Sequence, residues 1–215
     1  MPTAMTFNSL QEDLRQYLER GSAVDTTVFK QLPRLINLAE RDIARSVKIQ
    51  GFINVVTSVM AAGTSVYQKP DRWRDTISIN FGIGTGNNTR TPLFPRAYEY
   101  LRQFHPDSTV QAQPEFYADY NYTHWLFAPT PDVAYPFEVN YYELPALLDA
   151  ANQTNWLTDH APNALLHASL LQSTRFLKND EHIPVWQQNY TEDLQKLNGE
   201  DLQKIIDRTS TRQEA

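Results

Sequence analysis

The chain of 215 residues contains no cysteine, and its 19 basic side chains are outnumbered by 25 acidic ones. The absence of cysteine excludes disulfides, thiol catalysis and thiolate metal sites. No apolar run approaches the ~18 residues that a membrane-spanning helix requires, and the first twenty residues lack the layout of a signal peptide. We therefore expect a soluble, acidic, intracellular protein with enough apolar material for a sizeable core.

Charged and aromatic side chains are unevenly distributed along the chain. Residues 101–150 contain one basic side chain, Arg102, together with seven acidic ones and nearly half of all the aromatic residues. The basic stripe that is typical of nucleic-acid-binding proteins is therefore missing. Because aromatic residues favour strands and interface cores, we interpret this acidic segment as sheet and interface. A surface that binds a partner protein or a sugar is the alternative.

The first fifty residues are predicted to form two amphipathic helices. The segment from Ser9 to Glu12 fits a capping box, and apolar residues at helical spacing follow it. A second apolar stripe extends to Val47, and Pro33 marks either a kink or the first turn of that helix. Four charged residues fall off this stripe and are expected to be solvated: Glu40, Arg41, Asp42 and Arg45.

The hydrophobic period changes at Gly51 from helical to alternating, which predicts a strand-rich middle region. In one predicted strand, Ile77, Ile79 and Phe81 alternate with polar residues and are expected to share a buried face. A glycine-rich segment at 82–86 is interpreted as a flexible hairpin tip. Further elements are predicted at 52–59, 97–104 (a short helix), 115–120, 124–128 and 135–142.

Helical patterns return after Pro145. Leu166, Leu170 and Leu177 share a face with small residues, and we favour packing of this face within its own chain over packing against a neighbouring copy. A last helix is predicted to start near Ile183 and to be interrupted at Asn198-Gly199, before a short amphipathic segment.

These patterns predict an α+β fold. Residues 1–50 and 146–207 are expected to form an antiparallel helical bundle from the N- and C-terminal segments. Residues 51–145 are expected to form a β-rich insertion, and residues 208–215 a flexible tail.

The sequence motifs of common catalytic sites are not present. No Gly-Lys-Ser/Thr follows the glycine-rich segment, the five histidines show no metal-binding spacing, and no nucleophile elbow occurs. We therefore predict no catalytic, metal or cofactor site, and no enzymatic activity. One enzymatic alternative, a peptidoglycan-degrading glycosidase, depends on paired carboxylates among aromatic residues. Its candidate carboxylates are Glu115, Asp119, Glu138 and Glu143.

Several blocks resemble one protein family in a consistent order. The segment PRLINLAERDI at residues 33–43 resembles the second-helix signature of head-to-tail adaptor proteins from short-tailed bacteriophages. The later blocks are APTPD at 128–132, YYELP at 141–145, TNWL at 154–157 and APNALL at 161–166. Leu177, Asp180-Glu181 and Trp186 continue the match, which covers roughly residues 28–48 and 114–190. Residues 51–113 match loosely, and residues 82–86 do not match.

The resemblance implies a virion protein at the head–tail junction, assembled in the bacterial cytoplasm. Such adaptors, which are similar to tail tubular protein A, form a ring of typically twelve copies that binds the portal protein. They extend the channel for DNA ejection and present a surface to the tail nozzle and fibres. A carbohydrate-binding module of a phage tail is a further alternative. The residues that we expect to contact the portal are Arg208, Thr209, Ser210, Thr211 and Arg212.

Overall fold

The computed structural model describes residues 4–19, 26–83, 86, 88–177 and 180–210, with the side chains of 26, 180 and 201–210 outside the description. It has a mixed α+β fold with helices and a curled seven-stranded sheet. The chain divides into two compact units. The first, the helical unit, comprises Met1–Phe52 and Leu144–Ala215, and the second, the sheet unit, comprises Ile53–Glu143.

The helices and strands are numbered in chain order. The helices are α1 (Phe7–Tyr17), α2 (Thr26–Phe29), α3 (Leu32–Ser46), α4 (Tyr98–Phe104), α5 (Trp156–His160), α6 (Pro162–Leu177) and α7 (Ile183–Ser210). The strands are β1 (Ile53–Met60), β2 (Val66–Gln68), β3 (Trp73–Ile83), β4 (Thr89–Pro95), β5 (Phe116–Asp119), β6 (His124–Ala128) and β7 (Tyr135–Glu143). Single 3₁₀ turns occur at Gln50–Phe52 and Asp180–His182.

Helix α1 begins three residues earlier than the sequence pattern predicted. Thr6 is the N-cap, and its hydroxyl accepts from the Ser9 amide at 3.1 Å. The Ser9 hydroxyl in turn accepts from the Thr6 amide at 2.8 Å, so that Ser9 is the third helical residue and not the cap. The reciprocal bonds satisfy two amides that a helix start leaves free. The predicted capping box from Ser9 to Glu12 was therefore wrong.

Helix α3 begins with Pro33 in its first turn, where a missing amide proton costs nothing. The alternative of a kink at this proline is thereby removed. Helix α6 packs against α3 and α7. Its small residues Ala168, Ser169 and Ser173 are buried, which confirms that this face packs within the chain. Leu165 occupies the fully buried position beside them, whereas Leu166 is only half-buried.

Helix α7 is one continuous helix of 28 residues. It passes through Asn198 and Gly199, so the predicted interruption was wrong. A glycine costs about 1 kcal/mol in a helix interior, which a long hydrogen-bonded ladder tolerates. Tyr190 is the deeply buried residue of the described part of this helix, at 4% exposure, and one half-buried face continues from it to Leu197.

The sheet has the strand order β1-β7-β3-β4-β5-β6-β2. Neighbouring strands are antiparallel except β4 and β5, which are parallel. Strands β3 and β4 form the hairpin that the sequence predicted around residues 82–86. Of that predicted flexible tip, residues 84 and 85 lie outside the described residues.

Strand β7 alternates as predicted, with Phe137, Val139 and Tyr141 buried and the residues between them half-buried. Strand β3 differs from its prediction at one position. Ile79 and Phe81 are fully buried, but Ile77 is 43% exposed. The pairing of β3 with β7 shifts by one residue between Thr76 and Ser78, and this irregularity moves Ile77 away from the buried face.

The interior of the curled sheet is aromatic. The rings of Phe127 on β6 and Phe137 on β7 meet edge to face at 5.6 Å, although these strands are not neighbours in the sheet. The Thr76 hydroxyl accepts hydrogen bonds from the indoles of both Trp73 and Trp125, at 3.0 and 2.9 Å. These contacts join the two halves of the sheet across one core.

Candidate functional site

The most unusual group of the helical unit is a buried carboxylate on α3. Glu40 has no exposed surface, whereas its neighbours Arg41 and Asp42 are exposed. The expectation that Glu40 is solvated was therefore wrong. Its position four residues after Ile36 and three before Ile43 is a signal for burial, because these spacings place it beside the apolar stripe.

Hydrogen bonds compensate the burial of this charge. The amide nitrogen of Leu148 lies 3.1 and 3.3 Å from the two oxygens of Glu40. The side-chain nitrogen of Asn155 donates to Oε1 at 2.5 Å. With its amide nitrogen turned toward Glu40, Asn37 also donates to Oε2 at 2.9 Å and to the carbonyl of Leu148 at 3.0 Å. Glu40 and its donors Asn37, Leu148 and Asn155 therefore form a buried hydrogen-bond network, here called the Glu40 network.

The surroundings of Glu40 also shift the pKa of its carboxyl. Burial raises the pKa of the Glu40 carboxyl from 4.5 to about 6. The hydrogen bonds from Leu148 and Asn155 and the charge of Arg41 act in the opposite direction without cancelling the desolvation. The carboxyl is therefore poised to change its charge in mildly acidic solution.

Asn155 connects this network to the start of α5. Its side-chain oxygen accepts from the amides of Leu157 and Thr158 at 3.0 and 3.3 Å, which caps the helix. Its side-chain nitrogen donates to Glu40 and to the carbonyl of Ala146. One asparagine thus performs two tasks, and the segment TNWL at 154–157 is fixed to α3 through it.

Trp156, the residue after Asn155, packs the start of α5 against the segment that follows α3. Its ring meets that of Phe52 at 5.3 Å, and it covers Gly51 so closely that an added Cβ would lie 2.1 Å from the ring. Only glycine fits this approach. The sequence blocks at 33–43 and 154–157 meet in the helical unit through the contact between Asn155 and Glu40.

Helix α7 is fixed to α3 and α6 by polar contacts. The Tyr190 hydroxyl donates to Asp42 at 3.0 Å, and burial, followed by the Asp42 charge, raises the pKa of Tyr190 far above its ordinary value. Nδ1 of His167 lies 2.7 Å from Asp193, and its ring stacks on Trp186 at 5.9 Å. Asp42, His167 and Asp193 therefore stabilise the packing of α7 against α3 and α6.

The carboxylates proposed for a glycosidase lie in the sheet unit, and three of them have basic partners. Glu143 is paired with Arg72 at 2.7 Å, and Glu138 lies 3.9 Å from Arg90. Asp119 lies 2.6 Å from the buried ammonium of Lys69. The fourth, Glu115, is exposed beside β5. Pairing with separate cations is typical of a sheet surface and does not favour an acid and a nucleophile that share a substrate.

Two further features concern metal binding and membrane spanning. Within the described residues, no three histidine or acidic side chains are grouped to hold a metal ion. The helices of that same part of the chain are too short or too polar to cross a membrane.

Of the expected portal contacts, Arg208, Thr209 and Ser210 form the end of the α7 backbone, with side chains outside the description. Thr211 and Arg212 lie outside the described residues altogether.

A comparison with protein-family models gives a match over nearly the whole chain. The model described as SU10 adaptor protein matches residues 5–213, which includes both helical segments and the complete sheet unit. A search of curated proteins gave no match. The matched range contains Glu40, Asn155 and Trp156, whose contacts organise the helical unit. The chain therefore belongs to the SU10 adaptor protein family, and so to the structural adaptor proteins of bacteriophages.

Proposed function

We propose that this chain is the head-to-tail adaptor of a short-tailed phage, similar to tail tubular protein A. A ring of about twelve copies joins the portal protein to the tail nozzle, contacts tail fibres, and extends the DNA channel. The single observation that carries the proposal is the family match over residues 5–213. The helical unit, with its N- and C-terminal helices in contact, is in this proposal the bundle that forms the body of the ring.

The charge of the chain supports passage of DNA without binding. Many lysine–phosphate contacts bind duplex DNA through counterion release and would slow its movement. A formal net charge of −6 disfavours binding of the chain to DNA phosphates. The channel that we propose is therefore poor in basic residues, and ring assembly leaves DNA affinity low at physiological salt.

The C-terminal residues are proposed to anchor the ring to the portal. Arg208 and Arg212 are the charged members of the segment 208–212, together with Thr209, Ser210 and Thr211. The α7 backbone extends to Ser210. We propose that the segment that follows it becomes ordered on the portal and extends the contact made by residues 208–210. Coupled ordering of this kind suits assembly contacts that form at one stage only.

Co-sedimentation with purified portal rings tests the proposal. We expect the wild-type chain to sediment with portal rings at micromolar concentration. The double variant Arg208→Ala/Arg212→Ala is expected to bind at least about tenfold more weakly, because it removes two charge-assisted contacts. The matched control is Arg34→Ala, which removes an exposed arginine of α3. A wild-type chain that stays in the supernatant contradicts the proposal. Equal losses for the two variants contradict the tail assignment alone.

The glycosidase and the carbohydrate-binding module have no comparable support. Glu138 and Glu143 face basic partners on the sheet, and family membership implies a structural role. Clearing of peptidoglycan in a zymogram by the wild type, abolished by Glu138→Gln or Glu143→Gln, is the result that would reverse this judgement.

A further inference from the structure

Strand β1 forms one edge of the sheet and is unusually long for an edge. All eight of its residues pair with β7 in one continuous antiparallel register, from Ile53 opposite Tyr142 to Met60 opposite Tyr135. Among the described residues, no strand pairs with its other side. Half of the backbone amides and carbonyls of β1 therefore face outward as a template for another strand.

The side chains of this edge are exposed and apolar. On one face of β1 are Ile53, Val55, Thr57 and Val59, all β-branched. The three aliphatic members are 39%, 53% and 58% exposed. On the other face, Met60 is fully buried and Val56 packs against the sheet core. The register of β1 is therefore fixed by Val56 and Met60, while Asn54 and Ser58 on the same face and all residues of the opposite face are left to solvent.

The protections that usually cover an edge strand are few here. The segment from Ile53 to Met60 contains no charged residue and no proline, and its pairing with β7 has no bulge. Just beyond the strand, the Tyr67 hydroxyl accepts from the Ala61 amide at 2.9 Å. Within the strand, Asn54 gives local protection, because its side-chain oxygen accepts from the Val55 amide at 2.8 Å. This bond occupies a single amide at the start of the strand and leaves Thr57, Ser58 and Val59 exposed.

We propose that β1 is a pairing edge that binds β1 of a second copy of this chain, antiparallel and about a two-fold axis. The strand fits its own copy because it carries no charge, so that pairing opposes no like charges. Symmetric pairing also places β-branched residues of one face opposite each other, which is a favourable cross-strand arrangement. The opposite edge of the sheet, β2, is only three residues long and offers too short a partner for an eight-residue strand.

This pairing goes beyond the adaptor function and concerns the free subunit. A two-fold contact uses the same surface on both copies, whereas a ring repeats a contact between two different surfaces. The β1 dimer is therefore a separate state of the chain, formed before the subunit joins a ring. Its test uses the chain without portal, so that its failure leaves the adaptor proposal unaffected.

Light scattering of the full chain during size-exclusion chromatography gives the first test. We expect a concentration-dependent dimer between about 1 and 200 µM, in the range of weak specific interfaces. Val59→Lys places a charge on the edge of each copy and is expected to weaken the dimer at least about tenfold. The matched control is Val133→Lys, which makes the same change at a valine 51% exposed between β6 and β7. Equal melting temperatures of the two variants establish that both are folded.

A cysteine scan identifies the surface, because the natural chain has no thiol to interfere. Single cysteines at Val55, Thr57, Ser58 and Val59 are oxidised in the full chain, with Val133→Cys as control. A two-fold antiparallel pair brings one residue close to its own copy and separates the positions on either side. We therefore expect a maximum of disulfide-linked dimer at a single position of β1.

Three results overturn the proposal. The first is a chain that remains monomeric over the whole concentration range. The second is a dimer that Val59→Lys and Val133→Lys weaken equally. The third is cross-linking that is no faster along β1 than at Val133→Cys. A ring-shaped oligomer that forms through other surfaces would give this third result.

Discussion

The side-chain nitrogen of Asn155 lies 2.5 Å from a carboxylate oxygen of Glu40, although 115 positions separate the two residues in the chain. Glu40 is fully buried, and Asn155 caps α5 with its other amide atom. The contact therefore fixes a helix start in the C-terminal part of the chain to a helix from the N-terminal part. Both residues lie in segments that carry the adaptor resemblance, so the contact gives those segments a physical reason to occur together.

The stability contribution of Glu40 is expected to depend on pH. Its pKa is raised from 4.5 to about 6 by burial, so the folded protein holds this proton more tightly than the unfolded chain does. The contribution is complete below about pH 4.5 and is lost as the pH rises through about 6. A shift of this size corresponds to about 2 kcal/mol.

The comparison of wild type with Glu40→Gln measures this effect. Because glutamine does not titrate, the stability of the variant relative to wild type is expected to rise by about 2 kcal/mol between about pH 4 and pH 7.5. Urea unfolding at each pH gives the two free energies. Glu115→Gln removes an exposed carboxylate and serves as the charge control. Parallel curves for wild type and Glu40→Gln would show that Glu40 does not titrate differently in the folded state.

Two glycine substitutions are expected to act in opposite directions. In Gly51→Ala the new methyl group meets the Trp156 ring at 2.1 Å, so Trp156 must move and α5 loses its packing. We expect a loss of about 2 kcal/mol or more, as in other overpacked cores. In Gly199→Ala nothing lies within 4 Å of the added group. Because alanine is more favourable than glycine in a helix interior, we expect the free energy of unfolding to rise by about 0.5–1 kcal/mol. Thermal unfolding distinguishes these results, and a stabilising Gly51→Ala contradicts the close approach of Trp156.

The buried ammonium of Lys69 provides a test in the sheet unit. The side chain of Lys69 is 1% exposed, whereas that of its partner Asp119 is 60% exposed. The ammonium also donates to the carbonyl of Asn121 and lies 3.5 Å from the centre of the Trp73 ring. Removal of Asp119 therefore leaves a buried charge short of a partner, whereas removal of Lys69 leaves a carboxylate that water can solvate.

The expected order of stability is wild type, then Lys69→Met, then Asp119→Asn. Methionine keeps the apolar stem of the lysine, and we expect Asp119→Asn to cost about 1 kcal/mol more than Lys69→Met. Denaturant unfolding of the three proteins gives the order. A reversed order would mean that the ammonium is solvated and does not depend on Asp119.

The hydroxyl of Ser169 is expected to lower stability. It is fully buried on α6 and has no hydrogen-bond partner within the described residues. An unsatisfied buried hydroxyl costs about 1–3 kcal/mol, so Ser169→Ala is expected to raise the melting temperature. Ser173→Ala is the matched control, because that hydroxyl donates to the Ser169 carbonyl at 2.7 Å and its loss is mildly destabilising. A lower melting temperature for Ser169→Ala would indicate a partner such as a buried water.

Local patterns predicted much of the fold because they act over a few residues. Alternation predicted β7 and the buried positions of Phe137 and Val139, and helical spacing predicted α3. The pattern failed at Ile77, because a shift in pairing with β7 depends on a strand about sixty residues away. It failed at Asn198-Gly199 as well, because local propensity is weaker than the continuity of a long helix.

The Glu40 network was not predictable from residue type alone. Charged side chains on a helix are usually solvated, and the donors that make burial of Glu40 tolerable come from Leu148 and Asn155, more than a hundred positions later. The order of the sequence blocks did indicate the adaptor family, which the match over residues 5–213 confirms. A ring and its symmetry are properties of several copies and remain proposals for a single chain.

Electron microscopy of negatively stained complexes tests the adaptor proposal most directly. The wild-type chain is mixed with purified portal rings from the same phage at micromolar concentration, and particles are averaged without imposed symmetry. We predict a second ring, of about twelve subunits and coaxial with the portal, that surrounds an open channel. Portal rings without added density, beside free copies of the chain, would contradict it.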